Sequence, residues 1–490
     1  MIRIYLDWNI ISKLKTPEFK EIYEFFLKNS NKFSIPFSPA YFEDISKSDY
    51  PGNEKLLEDI TNMEVLCHTN HLSYDKEQDI AAPYIATPEQ YFSQHRRSDS
   101  TFSAFTNPEN IKSLFKDIEN TPAGIYLETP IQLPKLVFTI SEPTLNTLLE
   151  DLQKVTTIKE LIIETTNIFH KLITDKNVYN AIRETISQYK ITETITPVSD
   201  VIPTINQILK RMGTNIGFMD FVKLINNQQK EKSNQSLFII AYLILDMLYK
   251  PDKLPKKGNN ATNIITDAMH AYYGAFCDYF ITDDKKLAEK ASVLYQEFNI
   301  DVPIISSKEL IDTLSNTIMQ SHGAIGYIAN EIINAYNSPK NNYLEKGENE
   351  DCKHFSVQLS KYCYNFFNKA SVSIWKHSKK GTIVIQLFRR FKGLSHYVFY
   401  TEVEQVLNML SQCYGNIPEI QREAIKHCSK NASYVWQSKD QTISIIIRED
   451  DTYEGRPELD FIIDMTNIST DINSSEEHPL IKLANLCDQL

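Results

Sequence analysis

The sequence predicts a mixed α/β fold: a parallel sheet flanked by helices, interrupted by a mostly helical insertion and followed by a smaller α+β domain. Three observations lead there. The first 45 residues run strand, helix, strand, helix; that rhythm stops near residue 51 and resumes near residue 235; beyond residue 319 short apolar strands alternate with helices in a new pattern. The expected boundaries are 1–50 and 235–318 for a discontinuous first domain, 51–234 for the insertion and 319–490 for the last domain.

Residues 2–6 form an apolar run closed by Asp7, which reads as a strand, and helices are expected over 9–15 and 18–27. Residues 33–36 read as a second strand. Ser38-Pro39 then places proline at a first helical position, so 40–45 is expected as a helix carrying Glu43 in its first turns. Within the insertion, helical spacing covers 53–60, 107–120, 143–152, 157–172, 178–189, 201–212 and 219–227. An apolar helix at 235–249, a basic turn at 250–258 and a helix at 262–277 lead into a strand at 279–282. A helix at 285–295, a strand at 301–305 and a helix opening at Ser306-Ser307 complete the α/β part. In the last domain, helices are expected at 324–336, 355–369, 402–413 and 417–428, strands at 382–387, 396–400 and 442–447, and a polar connection at 337–351.

With 42% hydrophobic and 23% charged residues the composition is globular, and 490 residues exceed one ordinary core. The strongest apolar run, 237–245, is half a membrane span, so no membrane partner is expected. The N-terminal run is broken by Asp7 and Asn9 and does not resemble a secretory leader. Seven scattered cysteines without a CxxC pair suggest a reduced, cytoplasmic chain without a structural zinc. The net charge of −12 argues against a passive polyanion binder, yet is compatible with a nuclease whose acids are neutralised by metal.

The chemistry is expected at one edge of the sheet. In an open parallel sheet, working groups collect where strands end at their carboxyl edges. Asp7 closes the first strand, and Asp283 and Asp284 close the strand ITDD; Asp267 lies on the helix entering that strand and Glu43 on the helix after the second. Such acids repel and raise one another's pKa unless a cation joins them, and hard oxygen ligands select Mg²⁺ or Mn²⁺. Asn9, Ser38 and Thr282 are short polar groups near the acids, suited to holding water or phosphate. His270, three residues after Asp267 and near the same helix face, either contacts substrate or buttresses the rim. Lys285 and Lys286, at a helix start, suit flanking phosphates. Taken singly, each residue has a plainer reading. An Asp after a strand is a common cap, and a helix acid such as Glu43 is cheap. Of the doubled pair Asp283 and Asp284, one is expected to point inward and the other to cap a helix.

The stretch LDWNIISKL resembles the opening DxN of PIN-domain nucleases, and DAMHAYYGAFCDYFITDDKKLAEKASVLY, continuing into VPIISSKEL, is similar to the later acid-bearing helix and strand of that family. The resemblance covers about 1–50 and 235–315. It implies a PIN-like sheet and a Mg²⁺- or Mn²⁺-dependent endoribonuclease leaving 5′-phosphate and 3′-hydroxyl ends. Its acids would fall on Asp7, Glu43, Asp267 and Asp284 or Asp283. RNA is the expected substrate, with DNA open, because metal chemistry at phosphorus needs no 2′-hydroxyl. A toxin or phage-defence role is in keeping with it, and a second copy or a regulatory protein is the protein partner to consider.

Two other classes compete. A catalytically inactive PIN-like module would use the same scaffold to bind nucleic acid or protein. An aspartyl-phosphate phosphatase would want a second acid two residues after Asp7, where this chain has Asn9. Short basic clusters beside aromatics, Trp375 to Lys380 and Arg389 to Lys392, suit nucleic-acid contact or simply solvated strand ends.

Overall fold

The structure, a computed structural model, describes residues 1–48, 53–95, 128–130, 143–175, 177–179, 181, 195, 197–211, 217–226, 233–249, 261–318, 325–338, 343–348, 352–375, 382–389, 396–437, 441–449, 457–465, 479 and 482–483. The expected helix at 107–120, most of that at 178–189, the basic turn at 250–258 and the clusters at 376–380 and 390–392 lie outside these residues.

The first strand, β1 (Ile2–Leu6), is buried along its whole length, as a strand covered on both faces must be. Helices α1 (Trp8–Ile11) and α2 (Lys20–Lys28) lead to β2 (Phe33–Ser34), and α3 (Pro39–Ser48) starts on the proline that pre-sets its first turn. Helix α4 (Glu54–Cys67) is capped by the Asn53 side chain, which accepts from the Leu56 amide. A hairpin follows, β3 (Asn70–Asp75) and β4 (Ile80–Ile85), then α5 (Pro88–His95), α6 (Pro143–Gln153), α7 (Ile158–Thr174), α8 (Val201–Arg211) and α9 (Phe218–Asn226). The α/β rhythm resumes with α10 (Asn234–Leu248), α11 (Ala261–Gly274), β5 (Tyr279–Ile281), α12 (Lys285–Glu297), β6 (Ile304–Ile305) and α13 (Ser307–Thr317). Helix α13 opens as its sequence suggests, with the Ser306 amide and hydroxyl both donating to the Glu309 carboxylate.

The strands β2-β1-β5-β6 make a four-stranded sheet, parallel at every pairing, with helices packed around it. The hairpin at 70–85 is the departure from a helical insertion. β3 and β4 form a two-stranded sheet of their own, and an isolated parallel bridge ties it to the chain just after β2 (Phe37 N to Asn70 O 3.0 Å, Leu72 N to Phe37 O 2.8 Å). Helix α11 lies close against β5 because Gly274 has no side chain: a Cβ there would stand 2.8 Å from the Phe280 ring and 3.0 Å from the Tyr295 hydroxyl.

The last part holds α14 (Ile325–Tyr336), β7 (Tyr343–Glu348), β8 (Cys352–Cys363), β9 (Phe367–Trp375), β10 (Thr382–Phe388), α15 (His396–Tyr414), α16 (Glu419–Lys426), β11 (Ser433–Gln437), β12 (Thr442–Glu449) and β13 (Pro457–Met465). The strands form a seven-stranded sheet, antiparallel at each pairing. Three expectations are corrected here. The helix expected over 355–369 is a hairpin: Phe355, Val357 and Leu359 are buried at alternate positions, the period of a strand, and Tyr364 and Asn365 turn the chain at positive φ. The strand expected at 396–400 is the first turn of α15, whose buried Val403, Val406, Leu407 and Leu410 repeat at helical spacing. The polar connection likewise contains strand β7.

Among the described residues two large apolar cores form, one drawing on residues 2–318 together with Tyr362, the other on residues from Ile328 onward. A buried ionic network ties them at the amino-terminal edge of the parallel sheet. Arg3 clamps Glu402 of α15 through two bonds of 2.8 and 2.9 Å, its amide donates to Asp278 at 2.6 Å, and Arg389 pairs with Asp278 and reaches the Met1 carbonyl at 2.8 Å. Arg389 is therefore structural and buried, not a solvated basic end. Among the described residues, no helix is long and apolar enough to cross a membrane.

Candidate metal centre

Asp7 leaves β1 at the opposite, carboxyl edge. It is 2% exposed; Oδ2 accepts from the Thr282 hydroxyl at 2.9 Å and from the Asn9 amide at 3.3 Å, and Oδ1 lies 3.9 Å from His270 Nε2. Thr282 follows β5, the strand hydrogen-bonded beside β1, so the parallel register brings together residues 275 apart in sequence. Burial pushes the Asp7 carboxyl up, Asp44 adds to this, and His270, Thr282 and Asn9 oppose it.

Asp267, on α11, is partly exposed at the same edge. Its carboxyl is pushed up to about 8, first by burial and then by the charges of Asp7 and Asp284, with Lys290 and His270 acting against the rise. Asp7, Asp267 and Asp284 therefore share one electrostatic neighbourhood. Asp284 also caps α12: Oδ1 accepts from the Lys286 and Leu287 amides at 2.8 and 3.1 Å, and its own amide donates to Thr282 Oγ1 at 3.1 Å. Asp283 turns the other way, accepting from the Ser307 amide and hydroxyl at 2.9 Å each and facing Lys13 at 3.8 Å. Of the doubled acids, Asp284 is the one beside Asp267.

Helix α3 presents Asp44 rather than Glu43 to this edge. Asp44 accepts from His270 Nε2 at 3.0 Å and from Lys47 at 2.8 Å. Burial works to raise its carboxyl, but His270 and Lys47 outweigh that and hold it below the ordinary range. Glu43 lies toward α5, where its charge is felt by Tyr91; burial raises its carboxyl, Lys47 opposes this and Asp44 adds to it. The phase is physical: Tyr41, whose hydroxyl donates to the Leu6 carbonyl, stands three residues before Asp44 on the face turned to β1.

His270 is 1% exposed, with Nδ1 3.0 Å from the Tyr5 hydroxyl, which in turn lies 2.6 Å from Ser38 Oγ. Burial tends to lower its pKa, but the Asp44 bond and the charges of Asp7, Asp44 and Asp267 raise it overall. Ser38 is fully buried and serves this chain of bonds, so it lies behind the rim instead of on it. Lys285 and Lys286 are exposed at the start of α12. Asp44, Tyr5 and Lys290 drew no notice in the sequence. Only Asp44 carried a signal, its helical spacing from the buried Tyr41 and Ile45.

The donors are carboxylate oxygens flanked by an amide and a hydroxyl, a set suited to Mg²⁺ or Mn²⁺ and not to a thiolate- or imidazole-seeking ion. Among the described residues, no three His, Cys, Asp or Glu side chains converge closely enough to hold an ion as they stand. Asp7 and Asp267, both raised by burial and by neighbouring acids, are nonetheless groups whose ionised forms a cation would stabilise. No family model, curated protein or solved structure matches the chain.

Proposed function

We propose that this chain is a metal-dependent endonuclease of PIN-like type, acting first on RNA, with Asp7, Asp267 and Asp284 holding Mg²⁺ or Mn²⁺. The observation that supports this reading is that three acids from separate elements near the carboxyl edge of a parallel sheet influence one another electrostatically, with Asp267 pushed up to about 8. A divalent ion bound there would supply an activated water and neutralise charge developing on the phosphate. The protein's own part is positional. Thr282 and Asn9 orient Asp7, the α12 amides fix Asp284, and Lys285 and Lys286 stand where a flanking phosphate would lie. Asp44 and His270 act one layer behind, and Glu43 and Asp283 lie outside the set. A toxin or phage-defence role in the cytoplasm suits such an activity.

The test is cleavage of end-labelled RNA and DNA strands by the purified chain with Mn²⁺, with chelator, and by Asp267→Asn. Metal-dependent cleavage lost in the variant supports the proposal; cleavage that persists in chelator or in the variant refutes it.

One observation favours a second reading, a catalytically inactive module that binds nucleic acid or protein: no three donors converge among the described residues. Calorimetric titration with Mn²⁺ separates the two, since the inactive module takes up no ion.

A further inference from the structure

At the amino-terminal edge of the parallel sheet, opposite the proposed metal centre, a cavity of about 530 Å³ lies between the two parts of the fold. That is within the usual size of a small-molecule site. One wall comes from residues 275–279 and 299–303, the other from residues of β8 and β9 and from Arg389. Its charges are already matched. Arg3, Arg389 and Lys369 line it with Asp278 and Asp301, and Glu402, clamped by Arg3, completes the balance. Arg3 and Arg389 are buried in ion pairs with Glu402 and Asp278. A phosphate or carboxylate entering here would have to take a guanidinium from its acid, and a buried charge left unmatched is costly. An uncharged ligand needs no such exchange.

The uncharged groups set what that ligand must offer. The Tyr362 hydroxyl is hydrogen-bonded to Asp278, so its single proton is spent there and it accepts from Asn368 Nδ2, 3.4 Å away. That fixes the Asn368 amide with Oδ1 turned from Tyr362, buried and without a partner, a state that a ligand donor would relieve. Gln358, also in the lining, donates Nε2 to the Asn368 carbonyl at 2.8 Å. Phe276, Val302, Pro303 and Leu359 add apolar surface. An aliphatic ligand would leave Asn368 unmet, a free sugar would leave the apolar residues uncovered, and a nucleotide would bring charge that the lining has already balanced.

We propose that this cavity binds an uncharged nucleoside, its flat base against the apolar residues and an N–H of the base edge donated to Asn368 Oδ1. Asparagine and glutamine amides are the side chains that pair with base edges in nucleic-acid recognition, and each of the four common bases carries an N–H donor on its edge. The ligand touches both walls, so it holds the two parts of the fold together. The proposal does not rest on the metal centre, which lies at the other end of the same strands.

The experiment is calorimetric titration of the full-length chain with adenosine, guanosine, cytidine and uridine, each beside its 5′-monophosphate, with thermal melting in the presence of each. The expected result is one-to-one binding of at least one nucleoside, a raised Tm with it, and binding of its monophosphate weaker by about tenfold or more. Asn368→Leu, which removes the acceptor, should weaken nucleoside binding by about tenfold. Val302→Trp, a substitution on the opposite wall that fills the cavity, should abolish it, and decides the matter if the first variant does not fold. No binding of any nucleoside at millimolar concentration overturns the proposal. A monophosphate that binds as tightly as its nucleoside overturns it too, marking an anion site, and so does nucleoside binding that is unchanged in Val302→Trp or in folded Asn368→Leu, which would place the ligand elsewhere.

Discussion

At the amino-terminal edge of the parallel sheet, buried acids come with buried guanidinium groups; at the carboxyl edge they come mostly with one another. Glu402 and Asp278 meet Arg3 and Arg389 within a single network. Burial would raise Glu402, but Arg3 and Arg389 overcome this and hold its carboxyl below the ordinary range. At the other edge Lys290 and His270 only partly answer Asp267, which stays high. The same strands, β1 and β5, thus carry a neutralised end and an under-neutralised one. A fold that supplies its own cations at one end and too few at the other has built a joint at the first, and the second is where the proposed ion would be needed.

The largest effect should come from the under-neutralised end. Asp267→Asn is expected to lower metal-dependent cleavage by on the order of 10³-fold, the size of removing one strong electrostatic stabiliser from a developing charge, while circular dichroism shows the fold retained. A small loss would break the contrast by showing that Asp267 is as structural as Glu402.

The joint should fail differently. Arg3→Met leaves Glu402 buried without its clamp, and breaking such a pair costs about 3–5 kcal/mol. Urea unfolding should register that loss. Replacing both partners, Arg3→Met with Glu402→Leu, should recover most of it, because the cost lies in the stranded charge.

The two ends should also answer pH with opposite signs. Asp267 is raised from 3.8 to about 8, so between these values the folded chain holds a proton that the unfolded chain has released. Stability then falls as pH rises across that window and levels off above it. Glu402 is lowered, so its contribution is present above the ordinary carboxylate pKa and is lost as pH falls through its folded value. In chelator, Asp267→Asn should flatten the decline between about pH 4 and 8 and raise Tm at pH 8, with little change at pH 4. Mn²⁺ should flatten the wild-type decline as well, by stabilising the ionised carboxylate.

Much of this contrast was legible in the sequence, because it hangs on strand ends. The runs at 2–6 and 279–282 terminate in Asp7 and in Asp283-Asp284, and parallel pairing then brings those ends together. The joint was not legible. Arg3 draws no notice in the sequence and Arg389 reads as part of a basic cluster suited to nucleic-acid contact or a solvated strand end, until folding sets them beside Glu402 and Asp278, at separations of 399 and 111 residues. The hairpin at 352–375 was misjudged for a different reason. Its polar residues blur the alternation, and the turn depends on left-handed backbone at Tyr364 and Asn365 rather than on a glycine. The hairpin at 70–85 was hidden likewise, its turn resting on Asp79 at positive φ.

The smallest expected effect tests the reading at single-residue scale. Glu43 and Asp44 are neighbours on α3, equal in charge and nearly equal in size, so composition cannot separate them. Helical phase does. Asp44 bonds His270, which bridges to Tyr5 and stands 3.9 Å from Asp7, whereas Glu43 looks toward Tyr91. Asp44→Asn should weaken both Mn²⁺ binding and cleavage by about tenfold, because His270 loses the carboxylate that sets its ring. Glu43→Gln should stay within about twofold of wild type, because Glu43 lies toward Tyr91 and away from the acids. Equal losses would mean that α3 contributes only its net charge to the rim. A larger loss at Glu43 would mean that the helix turns when substrate binds, exchanging one acid for the other.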